Sequence, residues 1–92
     1  MSSDTGSRET GITFLSGAFH VRFEDERATR AAARDAVGGG FAVEIRAEGA
    51  SGWLVVCQRR QSFPADDQRR YAGRLRTIAA AHGGAYERFI PE

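Results

Sequence analysis

Phe19, Val21 and Phe23 alternate with His20 and Arg22 across Gly17–Phe23. A two-residue period carried by aromatic and β-branched side chains predicts a strand with one buried face. The period then lengthens. Ala28, Ala31, Ala32 and Ala36 fall on one side of a helical projection, with Arg27, Arg30 and Arg34 on the other. Alanine favours a helix but buries little area, so this helix must sit close to whatever it covers. Glu24, Asp25 and Glu26 lead it, where negative charge suits the positive end of the helix dipole. Asp25 is the expected N-cap. Gly38-Gly39-Gly40 ends it, because glycine takes a left-handed cap without penalty.

Alternation returns over Phe41–Ala47, with Phe41, Val43, Ile45 and Ala47 against Ala42, Glu44 and Arg46. Glu48–Gly52 has the composition of a hairpin loop. Trp53–Cys57 is apolar without interruption, as in a central strand. Such a run does not announce its inner face; we read Leu54 and Val56 inward, leaving Trp53, Val55 and Cys57 opposite. Pro64 followed by Asp66 and Asp67 predicts a helix start. Tyr71, Leu75, Ile78 and His82 form its apolar stripe beside Ala72 and Ala79, and Arg69, Arg70, Arg74 and Arg76 lie mostly off it. Gly83-Gly84 closes this helix, Ala85–Ile90 is a last strand, and Pro91 stops it.

The order β-α-β-β-α-β predicts an α+β, ferredoxin-like sandwich: a four-stranded antiparallel sheet with two helices on one face. Right-handed crossovers put the first and third strands in the centre. The other face is then open and carries His20, Arg22, Glu44 and Arg46. Residues 1–10 read as a disordered tail and 11–92 as a single domain. Within the latter, Ile12, Phe14 and Leu15 either lengthen the first strand or pack beside it.

Composition narrows the function. The 92 residues carry thirteen Arg and no Lys against twelve acids, a formal charge of +1. This Arg usage reads as the codon bias of a GC-rich bacterial genome. Near-neutrality argues against a polybasic nucleic-acid arm or an acidic tail. The charge is uneven, however. Residues 1–50 hold six Arg and eight acids, and residues 51–92 hold seven Arg and four acids. A single Cys57 leaves no internal disulfide, and no apolar run is long enough to cross a bilayer. The expected location is the cytoplasm.

The candidate chemistry is sparse. His20 and His82 lack a ligand cluster at metal-binding spacing, and no partner for acid–base work can be named for His20. His82 suits the end of its helix, where its polar edge meets the dipole. Cys57 sits mid-strand without an activating base. Asp66 and Asp67 diverge by about 100° on a helix, so they do not converge on one atom. Gly38-Gly39-Gly40 follows a helix, the reverse of the order in phosphate-binding loops. These readings argue against an enzyme, a cofactor or a metal.

The second half resembles a known family. Gly52-Trp53-Leu54-Val55-Val56, then Phe63-Pro64, then a helix running from Ile78 through His82 into Gly83-Gly84-Ala85-Tyr86-Glu87-Arg88-Phe89, is similar to the RraB-like family, named for a protein regulator of ribonuclease E. Members typically close on Gly-Gly-Xaa-Tyr-Asp-Gly-Trp. Gly83, Gly84 and Tyr86 match, Glu87 replaces the Asp, and Arg88-Phe89 replaces the Gly-Trp. The first half is compatible, so the resemblance covers Gly17–Pro91. It implies a ferredoxin-like fold and a non-catalytic role: binding a partner protein, a ribonuclease, and modulating RNA turnover.

On this reading the open sheet face and the Tyr86–Phe89 end bind the partner. Trp53 is the anchor, and the contact set is His20, Arg22, Arg46, Trp53, Arg59, Tyr86, Arg88 and Phe89. A homodimer through the sheet is compatible with it. Two alternatives are an RNA-binding module using the Arg-rich second half, and a small-ligand-binding or enzymatic ferredoxin-like dimer.

Overall fold

The computed structural model describes residues 12–92; the tail expected over residues 1–10 lies outside them. Strands β1 (Phe14–Leu15), β2 (Gly17–Phe23), β3 (Phe41–Glu48), β4 (Gly52–Arg59), β5 (Phe63–Pro64) and β6 (Ala85–Pro91) alternate with helices α1 (Glu26–Gly38) and α2 (Asp67–Ala81). The main sheet has the order β3-β4-β2-β6, and each neighbouring pair in it is antiparallel. The first and third long strands therefore occupy the centre, as the crossover argument requires. β1 and β5 form a separate two-stranded sheet.

Both helices cover the same face. Phe19, Val21, Phe23, Phe41, Val55 and Cys57 of the sheet share one core with Ala32, Ala33 and Ala36 of α1 and Ala72, Leu75 and Ala79 of α2. Phe19 is fully buried. Its ring lies between 4.6 and 6.5 Å, centroid to centroid, from those of Phe41, Phe63, Tyr71, Tyr86 and Phe89. The small-residue face of α1 lets that helix sit close to the sheet. Thr29 is also fully buried there. Its hydroxyl donates to the Asp25 carbonyl oxygen at 2.7 Å, so burial leaves that hydroxyl satisfied.

Local signals set the helix ends. The Asp25 carboxylate accepts from the Ala28 N–H at 2.8 Å, the expected N-cap. At the far end of α2, Gly83 takes φ +76° and the Gly84 N–H donates to the Ala79 carbonyl at 2.8 Å, a Schellman ending. In α1 the left-handed residue is Gly40, at φ +95°, rather than the cap residue Gly39, at φ −86°.

Three expectations are decided or changed. Phe14 and Leu15 do not extend β2; they pair with Pro64 and Phe63. That pairing keeps Pro64 in a strand, and α2 begins at Asp67, with Asp66 before it making no side-chain cap bond. The third change concerns Trp53–Cys57. In an antiparallel pair, residues directly opposite share a face. Trp53, Val55 and Cys57 stand opposite Phe23, Val21 and Phe19, so they face the helices. Leu54 and Val56 face the open side, with Ala18. Trp53 is thus packed against the core rather than presented on the open face.

Candidate functional site

The register lays the open face out in three rows across the strands. Arg46, Leu54, Arg22 and Ala85 make the first; Glu44, Val56, His20 and Arg88 the second; Ala42, Gln58, Ala18 and Ile90 the third. The floor is apolar and central. Leu54 and Val56 are only 3% and 7% exposed although, among the described residues, no second layer covers them. The register explains this: Leu54 lies between Arg22 and Arg46, whose long stems can shield apolar surface while their heads stay wet. Ile90, at the β6 end of its row, is 40% exposed.

Ion pairs hold the rim. Arg22 Nε donates to Glu87 Oε2 at 2.6 Å, and Arg22 Nη2 to Glu48 Oε1 at 3.1 Å. One arginine so joins acids from the two edge strands, passing over the floor. Glu87 can reach it because β6 bulges between the partners of His20 and Val21, leaving Glu87 unpaired in the ladder. Arg46 Nε donates to Glu44 Oε2 at 3.1 Å on the same strand. These bonds hold the Glu44 and Glu87 carboxyls below the usual range, chiefly through the arginine hydrogen bond in each case. They raise Arg22 and Arg46 correspondingly. Beside them a shallow groove of about 220 Å³ runs over Ala18, His20, Ala42, Val56 and Gln58. Gln58 donates to Glu92 at 3.1 Å at its end.

Of the eight residues expected to bind a partner, His20, Arg22, Arg46 and Arg88 meet on this face. The other four turn away. Trp53 packs on the helix side. Arg59, one residue past the open-facing Gln58, donates to the Gly39 carbonyl at 3.1 Å. Its guanidinium lies 5.0 Å from the Phe41 ring centroid and 4.6 Å from that of Tyr71. Tyr86 and Phe89 pack towards the core, and Arg76 stacks 4.9 Å from the Tyr86 ring centroid. Burial raises the Tyr86 phenol above its ordinary value, against the opposing pull of Arg76.

Sequence reasoning missed Leu54, Val56 and Glu87 as parts of this face. The signal was available for the first two only through the strand opposite: Phe19, Val21 and Phe23 fix the inner side of β2, and β4 inherits it by register. The Arg-rich second half does not gather into one stripe. Arg59 and Arg74 both donate to Gly39, Arg70 pairs with Asp67, and Arg88 is across the sheet from them.

Other chemistry is thin. Cys57 is buried at the centre of the core, and burial pushes its thiol up to about 12. His82 Nε2 lies 2.8 Å from Asp35 Oδ2, tying the end of α2 to α1. Among the described residues no group of His, Cys, Asp and Glu is placed to hold a metal ion, and no helix is long and apolar enough to cross a membrane.

The family model described as regulator of ribonuclease activity B, RraB, matches residues 16–89. The chain belongs to the RraB family. The match begins just before β2 and ends within β6, so it takes in β2, β3 and β4, both helices and most of β6. No curated protein matches the chain. The RraB match includes the Gly83–Tyr86 passage, and the structure gives that passage a physical reason. Gly83 supplies the left-handed residue after α2. Gly84 lies where a Cβ would collide with the Phe23 ring and come 2.7 Å from the Arg22 carbonyl oxygen.

Proposed function

We propose that this protein is a non-catalytic regulator that binds a ribonuclease by protein contact through the open face of a ferredoxin-like sheet. The observation that carries the reading is a single-layer sheet with an apolar floor at Ala18, Leu54 and Val56 inside a rim of His20, Arg22, Arg46 and Arg88, in a chain of the RraB family. A central apolar patch ringed by arginine and other polar side chains has the anatomy of a protein interface. The groove beside it is shallow, unlike the enclosed pockets that bind small ligands.

The test is an RNA-cleavage assay with the host endoribonuclease and increasing amounts of this protein. The wild type should slow cleavage to a plateau. Arg88→Glu and Ile90→Arg alter exposed positions of the open face and should weaken the effect while leaving the melting curve in place. Trp53→Phe, on the helix side, should act as the wild type does. Cleavage unchanged by saturating wild type, or open-face variants as active as wild type, would refute the proposal.

A further inference from the structure

The two edges of the main sheet are protected to different degrees. An edge strand exposes unpaired N–H and C=O groups that can template pairing, and proteins blunt edges with bulges, proline and charge. β6 carries a bulge and ends on Pro91. β3 has neither: its eight residues run in unbroken register with β4 from Phe41 to Glu48. Among the described residues no strand pairs with its outer edge.

We infer that β3 is a self-pairing edge, along which a second copy of this chain docks antiparallel with the two-fold axis at Ile45. The charge order of the strand argues for this occupant. Glu44 and Arg46 flank Ile45 symmetrically. Antiparallel pairing about Ile45 sets Glu44 of each copy opposite the partner's Arg46, on the open side of the joint sheet. An edge bearing one sign of charge repels its own copy, whereas this order attracts it; opposite charges directly across a ladder are stabilising. Both side chains are more than half exposed and, among the described residues, bonded only to each other, so the two intrachain pairs can merge into one four-charge cluster. On the other side Val43 and Ile45 are half-buried at the margin of the core. Pairing brings Ile45 against its counterpart and Val43 against the partner's Ala47. Strand pairing alone buries less than a standard interface, so the dimer is weak and forms with rising concentration. The inference does not rest on the ribonuclease reading.

Sedimentation velocity of the full chain over a concentration series tests it. The wild type should pass from monomer towards twice its 10.0 kDa mass. Glu44→Arg and Arg46→Glu each set like charges across the axis, and each should weaken association on the order of ten-fold or more. An equimolar mixture of the two variants should associate again, because each supplies the complement of the other. The double reversal Glu44→Arg/Arg46→Glu should self-associate like the wild type. Hydrogen exchange of the wild type gives a readout free of substitutions: β3 amides should gain protection as concentration rises. A wild type that stays monomeric to its solubility limit overturns the inference. So does a mixture of variants no more associated than either alone, or a dimer in which β3 amides gain no protection, which would place the contact elsewhere.

Discussion

Arg22 Nε sits 2.6 Å from Glu87 Oε2, a contact between the central strand β2 and the one residue that the β6 bulge frees from the ladder. The same guanidinium reaches Glu48 on the hairpin side at 3.1 Å. The bulge thus has a use beyond blunting an edge, because it aims an acid at the middle of the open face.

That pairing makes stability depend on pH with a definite sign. The Arg22 hydrogen bond holds the Glu87 carboxyl below its ordinary value of 4.5. The folded state therefore favours the carboxylate, and the contribution is fully present above that ordinary value. It is lost as pH falls through the lower, folded value. Melting temperatures of wild type and Glu87→Gln should differ at neutral pH and converge in acid below both values. The gap at neutral pH should be small and should shrink with added salt, as befits an exposed pair.

Phe19 is the residue on which the core depends most. Its side chain is fully buried among five other rings. Phe19→Ala should cost about 3–5 kcal/mol, a large share of the roughly 5–15 kcal/mol that holds a small domain together. Urea unfolding should show the midpoint falling steeply or the folded baseline disappearing.

Gly84→Ala should destabilise through a clash, not through loss of flexibility. The added methyl would press on the Phe23 ring and the Arg22 backbone, and overpacking of this kind costs about 1–3 kcal/mol. Thermal melts of Gly84→Ala beside Gly38→Ala separate the two effects, since a Cβ at Gly38 meets nothing within 4 Å.

Arg59 closes the carbonyl end of α1, which has no basic residue in its own last turn. Its guanidinium also lies against Phe41 and Tyr71. Arg59→Ala should cost about 1–3 kcal/mol from the lost cation–π and carbonyl contacts. Arg59→Lys should recover only part of this, because an ammonium lacks the planar fork. Chemical denaturation of the three proteins checks the order.

Cys57 should be silent in the native state. With its thiol pushed up to about 12 and its side chain out of reach of solvent, it should resist a maleimide probe at neutral pH and react promptly in denaturant. Rapid native labelling, read by intact mass, would contradict this placement.

The outline of the fold was legible wherever polar and apolar residues take opposite sides. His20 and Arg22 between Phe19, Val21 and Phe23 orient β2 unambiguously, and Asp25 marks a helix start that the structure keeps. Trp53–Cys57 is different. Both of its faces are buried, one under helices and the other among polar neighbours, with Leu54 between Arg22 and Arg46 and Val56 between Glu44 and His20, so local alternation carries no sign. Only pairing with β2 supplies one, and pairing is a long-range fact. The error spread from there: with Trp53 placed outward, Arg59 followed it into the rim, and both proved to face the helices. Pro64 misled for a related reason. Its helix-start chemistry is real, but its partner Phe14 lies 50 positions away in sequence.

The arginines flanking Leu54 bear on how the resting molecule behaves in a crowded solution. The greasiest part of the open face is flanked by charge, and Arg22 beside it is pinned at Glu48 and Glu87. A stray apolar surface meets guanidinium and carboxylate first and finds little to hold. On the proposed reading of this face, a partner whose own acids and bases take over Arg22 reaches the leucine beside it, and selectivity becomes a matter of exchanging ion pairs before any oil is touched.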